Sequence, residues 1–303
     1  MNFAYLGRST LNEWFWLVRP FSLTAAAVPV LFGTTLAFSD GAFAWGPFLA
    51  MLLASLLIQA ATNMFNEFYD EKRGLDTAAS VGIAGSIVQG RLHARAVLLG
   101  ALFCYTAAAV LGLYLVFVGG WKILALGLLS ALGGYLYSAG PRPIAYTAAS
   151  EVAVFLFMGV LIVAIAYAVQ TANLPARVLL AALPIGGPVA AILLANNIRD
   201  MESDQRGGRR TLPIRLGRRG GIFVYRLLLL ETYASVAALI ALGIVPLGAG
   251  LVVLSLPLLP RLWRGIATTH TPRLLDPIVK GTAGLHALFG LLYCAGVLLG
   301  NLF

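Results

Sequence analysis

The chain has 303 residues, 60% of them hydrophobic and only 11% charged, with a mean hydropathy of +0.88. A soluble domain carries about 25% charged residues, so this composition excludes an ordinary water-soluble fold and describes a polytopic membrane protein. The net charge of +9 does not describe a nucleic-acid binder, because the basic residues fall in short loops between apolar runs.

The first 19 residues lack an apolar core and a small-residue cleavage site, so no cleavable signal peptide is expected. Trp14-Phe15-Trp16 followed by Arg19 reads as an interfacial anchor leading into the first span. Apolar runs of about 20 residues then lie near 20–39, 47–68, 94–118, 121–138, 149–170, 178–198, 221–242, 246–263 and 279–302. They predict an all-α protein of about nine transmembrane helices, treated as a single domain over 1–303. Prolines at 29, 184, 188, 257 and 260 are expected to kink their helices. Cys104 and Cys294 sit in apolar spans far apart and read as buried free thiols. His93, His270 and His286 show no metal-ligand spacing and read as structural.

Of the 21 Lys and Arg residues, all but Lys122 and Arg177 fall in the N-terminus and the even-numbered loops. The positive-inside bias therefore places those segments in the cytoplasm. On that same side, two acidic clusters end two apolar runs: Asn66-Glu-Phe-Tyr-Asp70 with Asp76, and Asn196-Asn-Ile-Arg-Asp200 with Asp204. Carboxylates beside a bilayer are costly and mark function. Set among Lys and Arg, two such groups read as a cradle for divalent metal and a phosphate-rich ligand. Pairing with neighbouring arginines at a helix end would account for one cluster, but not for two with the same relation to an Asn.

Helical spacing sharpens this reading. Gln59, Asn63, Asn66 and Asp70 follow i, i+4, i+7 and i+11, one stripe of a helix that must face protein or a wet cavity. Asn196, Asp200 and Asp204 follow i, i+4 and i+8, with Asn197 beside them. The first cluster is followed by Gly74-Leu-Asp-Thr77 and the second by Gly208-Arg-Arg-Thr211. This suggests parallel repeat halves over 20–138 and 149–263, with cap loops over 69–93 and 199–221. The glycines at 82, 85 and 90 lack the Lys-Ser/Thr ending and strand context of a phosphate loop, and fit a lid element better.

These motifs resemble the paired Asp-rich motifs of the UbiA superfamily of intramembrane prenyltransferases. Asn66 to Thr77, Gly140-Pro-Arg-Pro-Ile-Ala-Tyr146-Thr, Asn196 to Asp204 and Gly207-Gly-Arg-Arg-Thr-Leu-Pro-Ile-Arg-Leu-Gly217 are most similar to its 1,4-dihydroxy-2-naphthoate branch. Hydroxybenzoate-type relatives carry Asn-Asp, whereas Glu67 follows the Asn here. The resemblance implies a nine-helix bundle around a central cavity. It also implies Mg²⁺-dependent transfer of a polyprenyl group from its diphosphate to an aromatic acid acceptor, with decarboxylation.

On that resemblance, Asp70 and Asp76 hold one Mg²⁺ and Asp200 and Asp204 another, with Asn66 and Asn197 completing the shells. Asn63 and Asn196 are expected at the substrate. Lys72, Arg73, Arg199 and Arg209 or Arg210 are candidate phosphate clamps. Tyr69, Tyr135 and Tyr137 offer aromatic faces to an allylic cation, and Arg142 and Tyr146 are placed at the acceptor. Glu151 opens its helix and is expected to serve the helix dipole. A related enzyme with 4-hydroxybenzoate, homogentisate or a lipid as acceptor shares these motifs. A secondary transporter would place its charges nearer the bilayer midplane.

Overall fold

The structure is a computed structural model in which residues 10–77, 80–138 and 143–300 are described. All regular elements among them are helical, as lipid demands of a chain whose backbone polar groups must be satisfied internally. A short α1, Thr10–Leu17, leads through a 3-10 turn into the first span, Pro20–Ser39 (α2). Next come α3 (Trp45–Lys72), α4 (Ala94–Gly119), α5 (Trp121–Ser138), α6 (Ser150–Thr171) and α7 (Ala176–Arg199). The last group is a short α8 (Met201–Arg206), then α9 (Leu212–Ala241), α10 (Leu247–Thr268) and α11 (Pro272–Gly300). Eight of these helices are long and apolar enough to cross a membrane, and α5 is a shorter apolar helix beside them.

The boundaries differ from expectation where polar residues extend a helix beyond its apolar run. α3 continues to Lys72, which keeps Asn66 and Asp70 on one helix. α9 starts at Leu212 with a kink at Gly217, where φ is 71°. α11 starts at Pro272 rather than near 279, and so brings Arg273 and Asp276 to the acidic end of the bundle.

α7 is the hub. Its apolar window is 78% buried, against 17% for α4. Gly186 and Gly187 on α7 leave room for close neighbours, the Phe155 ring at Gly186 and Thr232, Glu231 and the Leu228 carbonyl at Gly187; small residues are the usual device for packing helices in lipid, where no hydrophobic force brings them together. Gly159, within a π-helical stretch of α6 (Phe155–Leu161), lies directly against Gly186. Polar tips of buried aromatics are satisfied between helices. Tyr225 hydrogen-bonds Thr282 at 2.7 Å, the Tyr293 hydroxyl donates to the Ala181 carbonyl at 3.2 Å, and Phe32 stacks on Tyr293 with centroids 4.2 Å apart. The end opposite the acidic clusters is stapled by Arg177, which donates to Asp40 at 2.5 Å.

A side chain at Gly159 would meet the Gly186 backbone, which has little room to yield. Gly159→Val is therefore expected to cost about 1–3 kcal/mol and to lower the thermal unfolding midpoint of the purified protein by several degrees. An unchanged midpoint would contradict this packing.

Candidate active site

The two acidic motifs end their helices in the same way. After α3, the Gly74 amide donates to the Glu71 carbonyl and the Leu75 amide to the Asp70 carbonyl, both at 2.8 Å, with Gly74 at φ 69°. After α8, the Gly208 amide donates to the Gln205 carbonyl at 3.1 Å and the Arg209 amide to the Asp204 carbonyl at 2.9 Å, with Gly208 at φ 76°. Both are Schellman stops, which need a left-handed residue that glycine supplies without strain. The geometry turns the chain back over the last carboxylate. It brings Asp76 round towards Asp70 and sets Arg209 over Asp204. The second stripe is interrupted, since α7 ends at Arg199 and Asp200 is non-helical at φ −99°.

Arg209 joins the clusters. Its guanidinium donates to Asp70 at 2.7 Å and to Asp204 at 3.0 Å, and lies 4.6 Å from the centroid of the Tyr146 ring. Arg73 sits 5.3 Å from the same ring and hydrogen-bonds the Tyr146 hydroxyl. Tyr146 is thus engaged as a platform for two cations. Asp200 is gripped by Arg199 through two bonds of 2.8 and 2.6 Å, and Arg199 also donates to Asp276 at 2.9 Å. Lys280 pairs with Asp276 at 2.7 Å.

Electrostatics follow from this crowding. Burial, reinforced by Asp70, pushes the Asp76 carboxyl up to about 7, although Arg19 pulls the other way. Burial likewise pushes Asp204 up to about 6 against the pull of Arg209. Burial works against the charge on Arg209, yet Asp70 and Asp204 hold its basicity above the ordinary arginine value.

All four motif aspartates line one cavity of about 1720 Å³. Asn63, Asn66, Tyr69, Arg73, Tyr137, Tyr146, Asn196, Asn197, Arg199 and Arg209 line it too. Below them the walls become apolar, reaching Leu115, Ile123 and Ile165 near the far end. Asn63 donates to the Val18 carbonyl at 2.7 Å and to Ser22 at 2.9 Å, so its amide nitrogen braces the start of α2. Asn197 donates to buried Glu151 at 2.8 Å, so Glu151 has a side-chain partner beyond the helix dipole.

Three expected residues do not join the cavity wall. Tyr135 is 60% exposed on the outside of α5, because two residues along a helix turn a side chain about 200° away from Tyr137. Lys72 and Arg210 are exposed and do not line the cavity. Arg142 lies outside the described residues. Conversely, Arg206 and Arg273 line the cavity with no such role expected of them, as does Arg19, expected only as part of an interfacial anchor, and Asp276 reaches the site through Arg199. Arg19 adopts a left-handed φ of 54°, which sequence does not signal.

The residues present suit a Mg²⁺–diphosphate. The donors are hard oxygens, Asp76 Oδ2 is buried without a hydrogen-bond partner, and the Nε atoms of Arg19 and Arg209 are likewise unpaired. Among the described residues no three His, Cys, Asp or Glu side chains converge as a ready-made cage. Mg²⁺ does not require one, since one or two carboxylates with phosphate and water complete its octahedron.

Residues 26–273 match the model of the UbiA prenyltransferase family. The chain is 39% identical over 96% of its length to a 1,4-dihydroxy-2-naphthoate octaprenyltransferase of Bacillus subtilis, covering 94% of that relative. It is 31% identical to the UbiA prenyltransferase domain-containing protein 1 of Xenopus tropicalis, over 93% of this chain and 80% of that one. In fold it is similar to a UbiA homologue from Archaeoglobus fulgidus solved with GPP and Mg²⁺, with a TM-score of 0.64 and 18% identity over 93% of this chain and 99% of that one. The chain belongs to the UbiA prenyltransferase family.

Proposed function

We propose that the protein transfers a polyprenyl group from its diphosphate to a ring carbon of 1,4-dihydroxy-2-naphthoate, with loss of the carboxyl group, giving the demethylmenaquinone skeleton. The observation that carries this reading is the single cavity in which all four motif aspartates sit above a long apolar floor. The relatives named for that reaction support the acceptor. The skew of Lys and Arg supports a site facing the cytoplasm from a bacterial inner membrane.

In the reaction the allylic C–O bond to diphosphate breaks, a bond to the ring carbon forms, and the carboxyl carbon leaves as CO₂. Asp70 with Asp76, and Asp200 with Asp204, would hold two Mg²⁺, with oxygens of Asn66 and Asn197 in reach of the shells. Bound there, the metal supplies Lewis-acid neutralisation of the departing diphosphate. Arg19, Arg73, Arg199 and Arg209 offer forked donors to diphosphate oxygens. Arg209 must exchange part of its grip on Asp70 and Asp204 for the ligand. The apolar wall takes the isoprenoid tail and excludes water from the allylic cation, while the Tyr69 and Tyr137 rings lie along the same wall to stabilise it. The acceptor enters beside Tyr146, where cations can meet its carboxylate.

Asp70→Ala or Asp200→Ala is expected to lower prenyl transfer at least about 100-fold while the protein still inserts and folds. Full activity of either variant in membranes with Mg²⁺ would remove the metal site. A panel of aromatic acids offered with a polyprenyl diphosphate, read by mass, is expected to yield a decarboxylated product from dihydroxynaphthoate. Product from another acid alone would move the chain to a different acceptor class.

The metal-free protein should respond to pH in a particular sense. Asp76 and Asp204 have folded values of about 7 and about 6, above the ordinary 3.8. The folded state therefore holds protons that the unfolded chain releases, so this contribution is full below about 4 and fades as pH rises through 6 to 7. In EDTA the unfolding midpoint should fall between pH 5 and pH 8, and Asp76→Asn should flatten that fall. A midpoint equally pH-dependent in Asp76→Asn would contradict the assignment.

A further inference from the structure

Glu67 lies inside the first acidic motif but does not face the cavity. Asn66 and Asp70 line it; Glu67, one position along the helix from Asn66, is only 1% exposed and is turned away. Its carboxylate instead accepts the backbone amides of Ser86 at 2.6 Å and Ile87 at 3.2 Å. The Ser86 hydroxyl donates to Glu13 of α1 at 3.1 Å, and Arg91 pairs with the same Glu13 oxygen at 3.0 Å. Glu13 and Ser86 are as buried as Glu67, at 2% and 0%. Two carboxylates of different helices thus converge on one serine of the loop between α3 and α4.

Burying two carboxylates is costly unless each gains strong hydrogen bonds, and what these gain is the fixed position of a loop. That loop matters to the site. Its Ser80, Val81 and Ile83 line the cavity, and Gly82, at φ 77°, packs so tightly on the Arg199 guanidinium that a Cβ would collide with it. Arg199 in turn grips Asp200. A continuous path therefore runs from Glu67 through the Ser86 amide and Gly82 to the second acidic motif.

We propose that Glu67, assisted by Glu13, is a positioning residue that stakes the 80–92 strap over the diphosphate site and so holds Arg199 and Asp200 in place for the prenyl diphosphate. This rests on the reading of the cavity as a prenyl diphosphate site, and it deepens that reading by giving a role to a buried motif carboxylate that does not face the cavity. Glu67 acts only through the strap. Its loss should therefore weaken capture of the diphosphate substrate more than it changes the acceptor.

The test uses the full chain in nanodiscs, with Glu67→Gln as the shape-preserving variant and Ser86→Ala as a second that leaves α3 untouched. Hydrogen exchange is followed over residues 82–92 without substrate, so this readout needs no prenyl transfer. Replacing a charged acceptor by a neutral one removes charge assistance from two amide bonds. Exchange over 82–92 should accelerate about tenfold in Glu67→Gln, the loss of ~1.4 kcal/mol of protection, while exchange in α7 stays at the wild-type rate. In parallel, KM for the prenyl diphosphate should rise about fivefold or more in Glu67→Gln, with KM for the acceptor moving less than twofold; Ser86→Ala should shift both readouts in the same direction and by less. Wild-type exchange over 82–92 in both variants, or faster exchange with unchanged KM for the diphosphate, overturns the proposal. Failure of the wild-type protein to transfer prenyl groups to any acceptor would instead overturn the catalytic reading, leaving the exchange comparison to judge the strap.

Discussion

The site depends on one guanidinium. Arg209 stands between Asp70 and Asp204 at hydrogen-bond distance from each, and without a cation there the two acidic motifs would repel across a partly buried gap. Charges so placed are costly to leave uncompensated. The clusters can share a cavity because Arg209 compensates Asp70 and Asp204 while Arg199 compensates Asp200. Its own position follows from the Schellman stop after α8, which fixes its amide on the Asp204 carbonyl. A local rule of helix termination thus sets the long-range electrostatics of the site.

The second constraint is division of labour among polar side chains. Several polar residues in or beside the motifs also hold protein: the Asn63 amide nitrogen braces the start of α2, that of Asn197 is tied to Glu151, and Glu67 accepts two amides of the loop between α3 and α4. Each bond leaves the neighbouring aspartates, whose carboxylates crowd one another, as the groups with capacity for a metal. Burial and mutual repulsion at Asp76 and Asp204 are sources of electrostatic tension that a divalent ion would relieve. The apolar remainder of the cavity, running to Ile123 and Ile165, gives an isoprenoid tail somewhere to go without exposing the reacting carbon to water.

Much of this was legible in the residues. Apolar run lengths located every long helix, and the i, i+4, i+7, i+11 spacing placed Gln59, Asn63, Asn66 and Asp70 on a single cavity-facing stripe, as the structure has them. The matched glycines at 74 and 208 were visible as a pattern, but their common role as left-handed helix stops emerges only from the backbone. Tyr135 could have been set aside from helical period alone. Asp276 was hidden because α11 extends through polar residues and Pro277 ahead of its apolar run, where hydropathy carries no signal. The bridge from Arg209 to both motifs was unreadable, since spacing along a chain says nothing of which cation reaches across 139 positions.

The most direct measurement is a count of bound Mn²⁺ by electron paramagnetic resonance, made on the protein in nanodiscs with a non-hydrolysable prenyl diphosphate analogue. If the two motifs each hold one ion in a shared cradle, the wild-type protein binds two, and Asp70→Asn and Asp200→Asn each lose about one. The wild-type count retained in either variant would contradict a cradle built from both motifs.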